Sequence, residues 1–83
     1  MNLVYFASVR EALGMSSEHR DVPQFVGTVA ELIAWLALQS DEHAAALSDR
    51  TRLRFAIDQN MVTADTPIGD AQELAIFPPV TGG

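Results

Sequence analysis

The sequence of 83 residues contains neither cysteine nor lysine. The lack of cysteine excludes a disulfide framework, a Cys-ligated zinc or iron–sulfur centre and a thiol nucleophile. The lack of lysine excludes a Schiff base on this chain and an internal acceptor for isopeptide modification. Compositional bias accounts for the missing lysine equally well. The cations are all arginines, at Arg10, Arg20, Arg50, Arg52 and Arg54.

Long apolar runs and an excess of positive charge are missing as well. No segment approaches the roughly 18 uninterrupted apolar residues of a membrane-spanning helix, and the N-terminus lacks the pattern of a secretory signal peptide. The net charge of −6 disfavours nucleic acid, whose binders carry basic patches. We therefore expect a cytoplasmic protein that binds neither nucleic acid nor a membrane and whose partner presents a basic surface.

The first third of the chain predicts a strand followed by a short helix. Residues 2–7 are rich in β-branched and aromatic side chains, which are typical of a strand. Ser8 and Glu11 have the spacing of a capping box, and Gly14 supplies a left-handed end. The pattern therefore predicts a helix of about one and a half turns over 9–13.

The clearest helix begins after Thr28, which has capping-box spacing with Glu31. A weak polar strand over 17–22, expected at a sheet edge, precedes this helix, and a second short helix over 40–48 follows it. Apolar residues recur at i, i+3, i+4 and i+7 in the main helix and predict a stripe that faces a sheet: Val29, Leu32, Ile33 and Leu36.

Three further strands complete the pattern. Residues 52–58 alternate between polar and apolar side chains, a short strand is expected over 61–63, and the last strand over 73–77. One main helix laid across a mixed sheet, with short extra helices, predicts an α+β domain of the β-grasp type over residues 1–77. The side chains predicted to face the helix are Leu3, Tyr5, Leu53, Phe55, Ile57, Leu74 and Ile76.

The sheet face turned away from the main helix carries the functional prediction. If the first and last strands pair, as they do in β-grasp folds, Val4 and Phe6 lie beside Ala75 and Phe77 as an exposed apolar patch. An exposed contiguous apolar patch marks a partner surface. The alternative, in which loops cover these residues, stays open.

The sequence ends on a tail that is built to extend. Its two prolines have fixed φ and no N–H, so they end sheet pairing and predict a polyproline-like path. Six extended residues reach about 20 Å at about 3.3 Å each, enough to enter a deep pocket in another protein. The terminal carboxylate can react once it is activated as an acyl-adenylate; the alternative is a frayed glycine end. The tail comprises Pro78, Pro79, Val80, Thr81, Gly82 and Gly83.

Nearly end to end, the chain resembles the small, sulfur-carrier subunit family of molybdopterin synthase. The matching stretches are VYFASVREALG, TVAELIAWLA, FAIDQNMV and GDAQELAIFPPVTGG. The resemblance implies a ubiquitin-like β-grasp protein whose Gly83 carboxylate is adenylated by an ATP-dependent activating enzyme and converted into a thiocarboxylate. The tail is then expected to enter the large synthase subunit, where Gly83 donates sulfur to cyclic pyranopterin monophosphate to form the molybdopterin dithiolene.

The resemblance also implies partners and contact residues. The synthase is expected to be a heterotetramer with its catalytic lysines on the large subunit, so this chain acts as the sulfur donor of a sulfurtransferase. It is expected to bind no cofactor or metal itself, since ATP is used by the activating enzyme. Phe6, Phe77 and Met61 match apolar contacts. Arg10 matches an arginine expected to pair with an acidic group across the interface, and a surface arginine near Glu11 is the alternative.

Other signals are weaker, and two other functions stay open. His19 and His43 lack an evident carboxylate or cysteine partner in the sequence and are expected to be solvated, and Trp35 is expected at the core or its boundary. The open alternatives are a sulfur carrier for another acceptor, such as the thiazole of thiamine, and a ubiquitin-like binding module that never receives sulfur. Deletion of Gly83 would abolish the function of a carrier and leave the affinity of a binding module intact.

Overall fold

The computed structural model describes residues 1–78. Its strands are β1 Asn2–Tyr5, β2 Ser17–His19, β3 Arg54–Ile57, β4 Asn60–Val62 and β5 Glu73–Phe77, and its helices are α1 Ala7–Leu13, α2 Val29–Ala37 and α3 Asp41–Ala46, with a 3-10 turn over Arg50–Arg52. The strands form one mixed sheet in the order β2-β1-β5-β3-β4. β1 and β5 run parallel, and the other neighbouring strands run antiparallel.

Helix α2 packs its predicted apolar stripe against one face of the sheet. Thr28 Oγ1 accepts a hydrogen bond from Glu31 N at 3.2 Å, and the Glu31 carboxylate accepts one from Thr28 N at 3.0 Å, so the predicted capping box is confirmed. All four stripe residues are buried, and so are the predicted helix-facing residues of the sheet except Ile57, which is half-buried. Trp35 packs against this core, as predicted. One main helix across a mixed five-stranded sheet confirms the prediction of an α+β domain of the β-grasp type.

Helix α1 begins two residues earlier than the sequence pattern predicts. Ala7 has a φ of 50°, a left-handed conformation that turns the chain directly from β1 into the helix, and Phe6 is the N-cap. No side chain caps this end, so the predicted capping box of Ser8 and Glu11 is wrong, because Ser8 already lies inside the first turn. The predicted left-handed end at Gly14 is confirmed, with a φ of 72°.

The remaining elements follow the predicted order, but their ends differ from the prediction. The edge strand β2 ends at His19, whereas the prediction extended it to residue 22; edge strands are often this short. The strand predicted over 52–58 starts at Arg54, because Arg50–Arg52 form the 3-10 turn. β4 lies one residue earlier than predicted, and β5 matches its predicted bounds of 73–77.

Candidate partner-binding face at the root of the tail

The strand register places the predicted patch on one face of the sheet. Val4 pairs with Ala75, Ala75 pairs on its other side with Ala56, and Ala56 pairs with Met61. Paired residues on neighbouring strands point to the same face, so these side chains form one apolar row across four strands. Together with the next row, this surface is named the tail-root face: Val4, Phe6, Arg54, Ala56, Met61, Ala75 and Phe77.

The second row lies at the end of β5 where the chain continues into the tail. The rings of Phe6 and Phe77 stack with centroids 4.6 Å apart and an interplanar angle of 8°. Phe6 N donates to Ile76 O at 3.2 Å, which continues the pairing of the two parallel strands for one more residue. Arg54 lies directly opposite Phe77 in the antiparallel pairing of β3 with β5. An aromatic pair and a cation therefore stand side by side next to Pro78.

The exposure of the tail-root face differs from the prediction at its centre. Ala75 is only 5% exposed, so its predicted exposure is wrong. Its neighbour in the row, Ala56, is buried as well, at 4% exposed, so the two short side chains at the middle of the row have little access to water. The face as a whole is not covered by loops, since Phe6 is 39% exposed and Met61 is 64% exposed. The result is an apolar surface with short buried side chains at its centre and the exposed side chains of Phe6 and Met61 toward its ends.

Arg54 and Ala56 are the residues of this face that the sequence pattern alone does not single out. The polar–apolar alternation over 52–58 did place Arg54 on the face turned away from the helix. Its position beside Phe77 depends on the pairing of β3 with β5, which joins residues far apart in sequence. The alternation therefore indicates the face on which Arg54 lies, but not its neighbour Phe77, which only the register of β3 with β5 gives.

Arg10 is exposed on α1, one turn after Phe6. Its backbone N donates to Phe6 O at 3.4 Å, and its carbonyl accepts from Gly14 N at 2.9 Å. Within residues 1–78 its guanidinium takes part in no ion pair, with Glu11 or any other acid. Arg10 is thus a surface arginine next to Glu11 in the chain, as the alternative role requires, and the ion pair across an interface stays a prediction.

The tail itself is described only at its first residue. Pro78 is half-buried and follows β5 directly. Five of the predicted tail residues lie outside the described part of the chain: Pro79, Val80, Thr81, Gly82 and Gly83. The predicted extension of the tail and the role of its terminal carboxylate stay predictions.

A buried polar cluster lies on the helix side of the sheet. His43 is 3% exposed, and its Nε2 is 2.7 Å from Glu18 Oε2 while its Nδ1 is 2.7 Å from Ser40 Oγ. Tyr5 OH donates to Glu18 Oε2 at 2.6 Å, and Arg20 Nε donates to Glu18 Oε1 at 2.8 Å. The cluster thus joins β1, β2 and α3 through one carboxylate.

This cluster corrects the prediction that both histidines are solvated. His19 is exposed, with its Nε2 3.5 Å from Asp21 Oδ1. His43 is buried, and its carboxylate partner Glu18 is 25 residues away in sequence. Burial by itself raises the pKa of Glu18, but the hydrogen bonds from Tyr5, His43 and Arg20 outweigh it and hold that pKa below its ordinary value. Burial, then the hydrogen bond to Glu18, raises the pKa of Tyr5. With donors on both carboxylate oxygens, the cluster has a structural role.

Metal sites and membrane-spanning helices are both missing from residues 1–78. Among residues 1–78, no group of three or more His, Asp or Glu side chains is arranged to hold a metal ion. In that same stretch, no helix has the length and apolar character needed to cross a bilayer. The tail-root face is an exposed apolar surface next to the tail, which makes it a candidate partner-binding site.

Comparison with known proteins shows the family to which the chain belongs. Residues 3–83 match the ThiS family. The chain belongs to the ThiS family. It is 41% identical over 83 residues to the molybdopterin synthase sulfur carrier subunit of Escherichia coli (strain K12), covering 100% of this chain and 99% of that protein. The subunit of the same name from Haemophilus influenzae is 31% identical over 83 residues, with the same coverage of both chains. The resemblance found in the sequence is thus confirmed.

The fold of this ThiS-family chain has a solved counterpart. The crystal structure of SAMP1 from Haloferax volcanii matches with a TM-score of 0.72 at 24% identity, over 99% of this chain and 97% of that chain. At this level of identity the likeness concerns the fold. It agrees with the β-grasp arrangement of the sheet and the main helix.

Proposed function

We propose that this ThiS-family chain is the sulfur carrier of molybdopterin synthase and that the Gly83 carboxylate is the group that carries the sulfur. The observation that supports the proposal most strongly is the full-length match, at 41% identity, to a protein named as the sulfur carrier subunit of that synthase. The tail also fits the proposal, because PPVTGG follows directly on β5, the strand that contributes Ala75 and Phe77 to the tail-root face.

The first stage of the proposed mechanism activates the tail. The Gly83 carboxylate attacks the α-phosphate of ATP on an activating enzyme, and pyrophosphate leaves as the acyl-adenylate forms. Hydrosulfide then attacks the acyl carbon, AMP leaves, and loss of the proton gives a thiocarboxylate. Glycine suits this chemistry because it has no side chain to hinder attack on the acyl carbon.

The second stage delivers the sulfur. The tail enters the large subunit of the synthase, and the sulfur of the Gly83 thiocarboxylate attacks a carbon of cyclic pyranopterin monophosphate, from which an oxygen substituent leaves. Water then hydrolyses the resulting thioester, so the sulfur stays on the pterin and Gly83 returns to a carboxylate. Two such transfers build the dithiolene of molybdopterin. If residues 79–83 are extended, they span about 17 Å, so the reacting carbon lies well away from the tail-root face. This chain has no lysine or cysteine to move protons there, so we assign that role to the large subunit.

The tail-root face serves as the docking surface in both stages. Its stacked aromatic pair and Met61 supply apolar contacts of the kind that dominate the centre of protein interfaces. Because this face borders the end of β5, a partner seated on it would lie next to the root of the tail. Docking and tail insertion are therefore expected to occur together.

Reconstitution with purified components tests the proposal. The chain is prepared as a Gly83 thiocarboxylate and mixed with the large subunit and cyclic pyranopterin monophosphate, and molybdopterin is measured by the fluorescence of its oxidised derivative. We expect product from the thiocarboxylate, with two carriers consumed for each molybdopterin, and none from the carboxylate form. The matched control is a chain shortened by one residue with the thiocarboxylate on Gly82, which should give almost no product.

The opposite outcome is equally clear. A synthase that is active with another carrier but gives no product with this thiocarboxylate would overturn the proposal. The function would then pass to a carrier for a different acceptor, such as the thiazole of thiamine, or to a binding module that uses the face alone. Affinity for the large subunit that survives without any sulfur transfer would favour the binding module.

A further inference from the structure

Three of the five arginines of this acidic chain lie together at the corner of the sheet beside the tail. Arg50 and Arg52 belong to the 3-10 turn that leads into β3, and Arg54 is the first residue of that strand. Residues 49–54 hold these three cations and one acid, Asp49, whereas the whole chain has a net charge of −6. All three arginines are exposed. This segment is named the arginine corner: Arg50, Arg52 and Arg54.

The charges of the arginine corner are largely uncompensated within residues 1–78. Arg52 Nε lies 3.8 Å from Asp49 Oδ2, and both side chains are 60% exposed. A loose, exposed pair of this kind contributes about 0–1 kcal/mol. Arg50 and Arg54 take part in no ion pair in the described part of the chain. Folding of the chain therefore does not account for this concentration of positive charge.

Arg54 is held in place by the backbone of the preceding turn. Its Nη1 donates to Leu53 O at 3.2 Å and to Arg52 O at 3.4 Å. These bonds hold the guanidinium against the backbone of residues 52–53, and the strand register places Arg54 opposite Phe77. A partner that covers Phe77 would therefore come within reach of the corner. Part of the entropic cost of ordering this side chain is already met in the free chain.

Distance separates the arginine corner from the phosphates of the proposed activation step. The acyl-adenylate would form at Gly83, and if residues 79–83 are extended it lies about 17 Å beyond Pro78. A corner at the root of the tail does not reach that far, so a nucleotide is not its ligand. The overall charge of −6 likewise disfavours a nucleic-acid ligand. The remaining candidate ligand is a group of carboxylates on a protein surface, around the mouth of a pocket that binds the tail.

We propose that the arginine corner binds a cluster of Asp and Glu side chains on the large subunit of molybdopterin synthase, at the rim of the pocket that receives the tail. This inference rests on the proposed function and adds the chemistry of the partner surface. Guanidinium groups pair with carboxylates through parallel hydrogen bonds, which suits arginine to this role. The net charge of −6 predicts a basic partner surface for the chain as a whole, whereas the positive charge of the corner calls for acidic side chains at this one place. The acidic remainder of the chain would repel those side chains, so the corner would also orient the approach.

Charges at the rim of an interface act mainly on association. They accelerate the encounter at low salt and change the dissociation rate little. The test therefore measures rate constants for binding to the purified large subunit, at about 0.03 M and about 0.5 M NaCl, where the Debye lengths differ several-fold. The test variant carries Arg50→Gln, Arg52→Gln and Arg54→Gln. The control carries Leu38→Glu, Ala44→Glu and Ala45→Glu, at exposed positions outside the tail-root face that change the net charge by the same three units.

The expected result separates local charge from total charge. For the glutamine variant, the association rate constant at low salt falls about tenfold, the dissociation rate constant stays within about twofold, and the difference disappears at high salt. The glutamate control keeps an association rate constant within about twofold of wild type. Thermal unfolding followed by circular dichroism checks that both variants fold. Should the triple variant fail to fold, Arg54→Gln alone is expected to lower the association rate constant about threefold.

Two results would overturn the inference while leaving the proposed function intact. The first is wild-type binding with an unchanged association rate constant in the glutamine variant. The second is an equal fall in the glutamine variant and the glutamate control, which would assign the effect to net charge. Failure of the wild-type chain to bind the large subunit at either salt concentration would instead overturn the proposed function and the inference together.

Discussion

Phe6 and Phe77 stack with their ring centroids 4.6 Å apart at the point where the first strand turns into α1 and the last strand ends. Phe6 is the N-cap of α1, and Phe77 is the final residue of β5. The stack therefore links the turn into α1 to the root of the tail. With Arg54 directly opposite Phe77, the same pair brings apolar surface and positive charge into one small area.

Substitution of Phe77 tests whether the tail-root face binds the large subunit. Phe77→Ala removes one partner of the stack and is expected to weaken the affinity at least tenfold, because truncated aromatic anchors at interfaces cost about 2 kcal/mol or more. The loss of the stack lowers the free energy of unfolding by about 1 kcal/mol. Isothermal titration calorimetry measures the affinity.

Phe25→Ala is the matched control for this substitution. Phe25 is 75% exposed in the loop before α2 and lies outside the tail-root face. We expect its removal to leave the affinity for the large subunit within about twofold of wild type. Similar losses for the two variants would show that a general change in the chain, and not this face, determines binding.

The helix caps make a prediction about stability that separates two similar sequence patterns. Thr28→Ala removes the capping box of α2 and is expected to lower the free energy of unfolding by about 1 kcal/mol, a fall of about 4–8 °C in Tm. Ser8→Ala removes a hydroxyl that caps nothing, so its effect stays within about 0.5 kcal/mol. Thermal and urea unfolding of both variants provide the comparison, and equal losses would contradict the assigned cap at Phe6.

The carboxylate of Glu18 predicts how stability depends on pH. Burial raises its pKa, but hydrogen bonds from Tyr5, His43 and Arg20 outweigh this effect and hold that pKa below the ordinary value of 4.5 in the folded chain. The stability that the carboxylate provides is therefore fully present above that value and is lost as the pH falls through the folded pKa. Glu18→Gln is expected to lower the free energy of unfolding by about 2 kcal/mol at neutral pH. The difference from wild type should shrink as the pH falls from 4.5 toward the lower pKa of the folded chain.

Urea unfolding at a series of pH values measures this effect. Glu11→Gln, at an exposed position on α1, is the control and should stay within about 0.5 kcal/mol of wild type throughout. A loss for Glu18→Gln that is independent of pH would contradict the assignment of charge-assisted bonds from His43 and Arg20. The loss would then come from the amide NH2 group, which faces donors where the carboxylate has an acceptor oxygen, and not from the lost charge.

Local patterns predicted the elements that depend on local interactions. The stripe of α2 and its capping box involve residues within one or two turns of each other, and the structure confirms both. The Ser8 pattern is just as local but failed, because a left-handed Ala7 begins the helix before that residue is reached. A capping signal therefore gives the spacing of a cap but not whether the preceding chain already turns.

Contacts between distant residues account for what the sequence left unseen. The bond of His43 to Glu18 spans 25 residues and depends on how α3 packs beside β2. The position of Arg54 beside Phe77 depends on the register of β3 with β5. Alternation assigned Val4 and Ala75 to one face correctly, but it does not give the exposure of each side chain, and Ala75 is buried.

The central claim is that Gly83 carries sulfur, and intact-protein mass spectrometry with fragmentation of the tail tests it most directly. The chain is incubated with ATP, a sulfur source and the cognate activating enzyme, beside a control chain that lacks Gly83. Fragmentation is needed because the chain has three methionines, and oxidation of one adds nearly the same nominal mass as exchange of oxygen for sulfur. The account predicts a sulfur-for-oxygen exchange located at Gly83 and absent from the control. An unmodified Gly83, with the enzyme shown to be active on another carrier, would contradict it.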